Sequence, residues 1–135
     1  MAVRGMIHHL EINVSNLKKS SEFYGWFLGE LGYKLYQSWE TGQSFLLGDT
    51  YICLIQTKPH LLNTPYERYG TGLNHLAFHA DSRREVDEMT EKLLSKGFEI
   101  LYPDEHPYAG GPNYYALYFE DPDGIKLELV APSND

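Results

Sequence analysis

The stretches His9-Leu10-Glu11-Ile12-Asn13-Val14 and His75-Leu76-Ala77-Phe78-His79-Ala80 decide the fold, because each opens one half of the chain in the same way. Both begin on His-Leu and run as strand-like alternations, so that residues two apart share a face. His9 then shares its side with Glu11 and Asn13, and His75 shares its side with Ala77 and His79, while alternation turns His8 to the face opposite His9. Near the end, Lys126-Leu127-Glu128-Leu129-Val130 sets a carboxylate inside an apolar strand. Buried carboxylates need partners, and a divalent metal is one such partner. Two imidazoles and one carboxylate hold a metal while leaving positions open for a substrate. His9, His75 and Glu128 are therefore the candidate ligands.

The order of elements around these strands repeats. After Ile7 to Val14 comes a helix with Phe23, Tyr24, Phe27, Leu28 and Leu31 at helical spacing and Gly32 at its end. Strands follow at Tyr33 to Trp39, Gln43 to Leu47 and Tyr51 to Gln56, separated by Glu40-Thr41-Gly42 and Gly48-Asp49. The second half gives a strand at Leu73 to Ala80, a capping-box form at Ser82-Arg83-Arg84-Glu85, and a helix through Val86, Met89, Leu93 and Leu94 to Gly97. Strands are expected at Phe98 to Tyr102, Tyr114 to Phe119 and Ile125 to Val130. The fold class is α+β: two βαβββ modules, about residues 5–57 and 72–131, make one domain over 1–135. In this alignment Ile52-Cys53-Leu54 takes the place of Leu127-Glu128-Leu129, so Cys53 is the repeat partner of Glu128.

A chain of 135 residues suits one domain, and 42% hydrophobic content with eleven tyrosines supports a substantial core. A net charge of −8 argues against nucleic acid, which would need clustered Lys and Arg. No apolar run approaches the roughly 20 residues of a membrane helix, so no membrane partner is expected. Cys53 is the single cysteine, which excludes an internal disulfide and suits a reducing cytoplasm.

In this order and spacing, four motifs resemble the vicinal oxygen chelate superfamily, which includes glyoxalase I, fosfomycin-modifying thiol transferases, extradiol dioxygenases and bleomycin-resistance proteins. They are His9-Leu10-Glu11-Ile12-Asn13-Val14-Ser15-Asn16-Leu17, Ser21-Glu22-Phe23-Tyr24 with Leu31-Gly32-Tyr33, Leu73-Asn74-His75-Leu76-Ala77-Phe78, and Phe119-Glu120-Asp121-Pro122-Asp123-Gly124 running into Leu127-Glu128-Leu129. The resemblance covers nearly the whole chain. It implies a mixed sheet curled around a pocket with one divalent ion, Zn, Ni, Mn or Fe, held by His9, His75 and Glu128, with Glu128 also the candidate catalytic residue. It also implies a homodimer in which each site draws one module from either chain. Where glyoxalase I has a second carboxylate, this chain has Cys53. The three-ligand members lack that carboxylate, and the thiol transferases are most similar around Leu47 to Leu54, though they carry a longer C-terminal segment than the one ending here at Asp135.

The implied chemistry is metal-dependent, on a small-molecule substrate chelating through adjacent oxygens: glyoxalase-like lyase or isomerase chemistry, or thiol transfer. The alternatives are extradiol ring cleavage and non-catalytic binding of a drug or antibiotic. Four further residues are candidates for the substrate pocket, each beside a plainer reading. Glu11 is a second acid or a solvated strand end. Cys53 is a small buried filler or a thiolate ligand. His79 lines the pocket or is structural. Tyr108 lies in the loop Pro103 to Asn113, which either closes over a substrate or is a surface insertion. Tyr102, Tyr114, Tyr115 and Tyr118 read as core and sheet residues, a few of them lining the pocket.

Overall fold

Asn16 and Ser82 start the two helices by the same device. The Asn16 side-chain oxygen accepts from Lys19 N at 3.1 Å, and Ser82 Oγ accepts from Glu85 N at 3.1 Å. Each satisfies one of the amide groups a helix start leaves without a partner. The reciprocal half of the capping box lands one residue further out than expected, because Glu85 Oε1 takes the N–H of Asp81 at 2.8 Å. Both helices also stop alike. Gly32 and Gly97 take φ of +97° and +87°, which lets Tyr33 N reach Leu28 O and Phe98 N reach Leu93 O.

The computed structural model describes residues 2–133, in two units that meet in sequence between Pro65 and Tyr66, inside the link the repeat defines. The N-terminal unit runs β1 (His9–Val14), α1 (Leu17–Glu30), β2 (Lys34–Trp39), β3 (Gly42–Leu47) and β4 (Thr50–Gln56). Its sheet has the order β1-β4-β3-β2, with β1 and β4 parallel and the other pairs antiparallel. Phe23, Tyr24, Phe27 and Leu28 fill the inner face of α1, and Ile12, Val14, Phe45, Ile52 and Leu54 are the buried sheet residues of the same unit. Burying each large apolar side chain contributes about 1.5–3 kcal/mol, so this layer holds the unit together. The other face of β1 carries His9, Glu11 and Asn13, all exposed.

The C-terminal unit runs β5 (His75–His79), α2 (Arg83–Ser95), β6 (Ala116–Glu120) and β7 (Lys126–Val130), with sheet order β5-β7-β6 and a parallel β5–β7 pair. Leu117, Leu127 and Leu129 are fully buried, as are Val86 and Leu93 of α2. The turn into β7 is closed by Asp121, whose carboxylate accepts from Asp123 N and Ile125 N at 2.8 and 2.9 Å.

One expected strand is not formed. Phe98 to Tyr102 keeps a single bridge, Ile100 opposite Phe119. Tyr102 turns into the left-handed region at φ +53°, and its carbonyl accepts from both Glu105 N and His106 N. Pro103 offers no N–H to extend a ladder, so the chain turns away instead. The second module is thus βαββ plus a bridge. The two helices and two open mixed sheets nonetheless make the α+β fold expected. Among the described residues no helix is long and apolar enough to cross a membrane.

Candidate metal centre

Glu128 is 2% exposed, an unusual place for a carboxylate, and its two oxygens have different partners. Oε1 lies 3.2 Å from His75 Nε2, and Oε2 accepts from the Tyr114 hydroxyl at 2.5 Å. The other imidazole nitrogen, Nδ1, is 2.7 Å from Asn74 Oδ1. An amide oxygen only accepts, so Nδ1 carries a proton. In the neutral ring, Nε2 then turns its lone pair toward Glu128 Oε1. Two acceptors that close are reconciled by a cation between them, either a proton on the ring or a metal ion. Donors each about 2.0–2.2 Å from one ion stand roughly 3.0–3.5 Å apart, and the observed separation fits that spacing. The residues present therefore suit a divalent ion, with Asn74 orienting the imidazole from behind.

The same sheet face carries the groups that would surround such an ion. Tyr118 pairs with Glu128 across the β6–β7 ladder, and Lys126 pairs with His75 across β5–β7. The Lys126 ammonium is 3.0 Å from the Tyr102 hydroxyl and lies over the rings of Tyr102 and Tyr118 at 4.9 and 4.8 Å. Such contacts hold a cation in place without neutralising it. The phenols respond to the local charge. Tyr118 is pushed up to about 12, by burial first and then by Glu128, and Tyr114 is also raised, mainly by its hydrogen bond to Glu128.

In the N-terminal unit, His9 stacks on Tyr51 with ring centroids 4.6 Å apart, and its Nε2 is 3.8 Å from Glu11 Oε2. His8 does not turn away as alternation suggests. β1 begins at His9, so the period-two rule stops short of His8, whose Nδ1 lies 2.9 Å from His9 Nδ1. Each candidate ligand histidine is thus held at Nδ1 by the residue before it, His8 for His9 and Asn74 for His75. Cys53 is 3% exposed and stands opposite Glu11. Its thiol is pushed up by burial and then by the Glu11 charge.

His79 is exposed at the far end of β5, two residues beyond Ala77 on the His75 side. Tyr108 sits elsewhere. Its ring packs edge-on against Tyr115, whose hydroxyl donates to Asp87 of α2 at 2.5 Å and whose face carries Arg83. The tyrosine that reaches Glu128 is Tyr114, which the sequence did not single out, because its Tyr114-Tyr115 repeat gives no sign of which hydroxyl meets the carboxylate. Among the described residues, neither unit alone gathers three His, Cys, Asp or Glu side chains into a metal cluster.

The sequence matches the Glyoxalase/Bleomycin resistance protein/Dioxygenase superfamily over residues 6–129. A solved structure of a Bacillus halodurans protein is similar at 55% identity, with a TM-score of 0.94 over 96% of this chain and 97% of that one. The glutathione transferase FosA of Serratia marcescens is 30% identical over 91% of this chain and 78% of its own. The fosfomycin resistance protein FosX of Listeria monocytogenes, solved as a glutamate-to-glutamine mutant with Mn(II) and 1S,2S-dihydroxypropylphosphonic acid, is 26% identical, with a TM-score of 0.69 over 96% of this chain and 93% of that one.

Proposed function

The chain belongs to the glyoxalase/bleomycin resistance protein/dioxygenase superfamily, and on that premise we propose that it is a divalent-metal enzyme with His9, His75 and Glu128 as ligands and Glu128 as its central catalytic group. The observation that carries this reading is the 3.2 Å approach of His75 Nε2 to a Glu128 oxygen that is almost wholly buried. When bound, the ion supplies Lewis-acid polarisation of a small substrate chelating through adjacent oxygens. Zn, Ni, Mn and Fe all suit this donor set.

The chain's own groups divide the remaining work. Asn74 and His8 hold the ligand imidazoles in one orientation. Lys126, seated on two tyrosine rings, faces the substrate with a positive charge, and Tyr118 offers a phenol that stays protonated at neutral pH. Glu11, Cys53 and His79 line the same faces as the two histidines. Tyr108 remains a candidate for loop closure from its place beside Tyr115.

Thiol transfer to a small electrophile is the favoured reaction. By the resemblance Cys53 takes the place where glyoxalase I has a carboxylate, and the similar proteins include a glutathione transferase, FosA, and a fosfomycin resistance protein, FosX. Glyoxalase-like isomerisation is the second reading, supported by Glu11, which sets an acid across the ladder from Cys53. We further propose a cytoplasmic homodimer. All six residues of β2 are exposed, with Leu35 at 60% and Trp39 at 44%, an apolar edge that a second copy would cover.

The test is metal analysis of protein purified without added metal, followed by a substrate screen with the ion found. One ion per chain and thiol-dependent turnover are expected. Metal-free protein that binds small ligands unchanged would replace this reading with sequestration.

A further inference from the structure

We infer that Tyr114 is a positioning residue that keeps Glu128 a one-oxygen ligand, and that Gly110 exists to let Tyr114 reach it. The inference rests on the metal reading above. Glu128 is 2% exposed, so water cannot compete for its oxygens, and their partners in the fold decide how each is used. Oε2 is taken by the Tyr114 hydroxyl at 2.5 Å. Oε1 is the oxygen turned toward His75 Nε2 at 3.2 Å. A carboxylate binding through both oxygens would have to give up the phenol. With the phenol in place, one oxygen would be left to hold the ion, and a further coordination position would stay open. A substrate bringing two adjacent oxygens needs that position.

The loop before β6 is shaped around this contact. A Cβ on Gly110 would fall 2.4 Å from Tyr114 Cδ1 and 2.8 Å from the Tyr118 hydroxyl, closer than real Cβ contacts come. A side chain there would force the Tyr114 ring or the loop that carries it to move. The backbone also folds tightly over this stretch, with Gly111 N donating to Tyr108 O at 3.0 Å and Tyr114 N donating to Gly111 O at 3.2 Å. Gly110 thus serves close approach of the Tyr114 ring.

The experiment is Co(II) titration of wild type, Tyr114→Phe and Gly110→Ala, read by visible absorption and by the infrared carboxylate stretches of the loaded proteins, with circular dichroism to confirm folding. Tyr114→Phe should weaken Co(II) roughly tenfold or more, the usual cost of losing a group that orients a ligand. Its visible band should lose intensity as coordination rises. The splitting of the carboxylate stretches should narrow toward the two-oxygen mode. Gly110→Ala should move all three readouts the same way while keeping the phenol itself. Spectra and affinities equal to wild type in both folded variants overturn the inference and leave the metal reading standing. No Co(II) band in wild type overturns both.

Discussion

Glu11 stands directly opposite Cys53 in the parallel β1–β4 ladder. The matching register in the other unit pairs Ala77 with Glu128. Each unit therefore keeps one carboxylate at this rung, on the first strand in one and on the last in the other. Glu128 is buried and bonded, whereas Glu11 is more than half exposed. The two acids are not equivalent, and the buried one is the better fixed candidate ligand.

This asymmetry sets the expectation for Cys53→Ser. If Cys53 packs rather than ligates, metal content stays near one ion per chain, measured by elemental analysis. Stability should fall by about 1–3 kcal/mol in chemical denaturation, because a hydroxyl replaces a thiol in a site with little water. A sharp loss of metal with stability preserved would make Cys53 a fourth ligand.

The candidate ligands and the residue behind one of them give a graded series. Glu128→Gln and His75→Ala should abolish stoichiometric metal binding, the first by removing the charge and the second by removing a donor. His8→Ala should weaken binding by roughly tenfold, since His8 only orients His9. The alternation rule alone gives His8 no effect, so isothermal titration of this variant separates the two readings.

Much of this was legible in the sequence. The helical spacing of Phe23, Tyr24, Phe27 and Leu28 marked the buried face of α1, and the repeat aligned Cys53 with Glu128, as the common register shows. What could not be read was set by geometry beyond one strand. The Phe98 to Tyr102 pattern has strand-like residues, but a left-handed Tyr102 ends the pairing. Which of Tyr114 and Tyr115 meets Glu128 depends on a loop fitted around Gly110, and no periodicity encodes that.

The apolar edge of β2 bears on assembly. A homodimer is expected by light scattering at micromolar concentration, and Leu35→Glu should shift it toward monomer by placing a charge on a covered patch. A monomeric wild type with metal bound would remove the dimer from the proposal.

The Tyr115–Asp87 pair gives a test by pH, away from the metal ligands. Its hydrogen bond to Asp87, followed by burial, pushes Tyr115 up to about 12 from an ordinary value near 10. A raised value means the folded state holds the proton more tightly. The stabilisation is thus complete below pH of about 10 and is lost as pH climbs through about 12. Tyr115→Phe should cost about 1 kcal/mol at neutral pH. Its deficit against wild type should shrink between those limits in denaturation curves taken across the range. A deficit that does not change with pH would show that packing, not this hydrogen bond, is what the hydroxyl variant loses.

The reaction itself separates on one substrate pair. Glyoxalase chemistry needs a base beside the carbon that loses its proton, and Cys53, which the resemblance sets where glyoxalase I has a carboxylate, is a thiol that burial pushes up. The remaining acid, Glu11, shares the face of β1 that carries His9 but is more than half exposed, so no burial raises its basicity or fixes it in place. The purified, metal-loaded protein should therefore form lactoylglutathione weakly or not at all, while adding a thiol to a small anionic electrophile at a measurable rate. Lys126→Met should raise KM for that anion more than it lowers kcat, because the ammonium binds charge and moves no proton. Strong lactoylglutathione formation that is lost in Glu11→Gln would instead make Glu11 the base and place this chain with the isomerases.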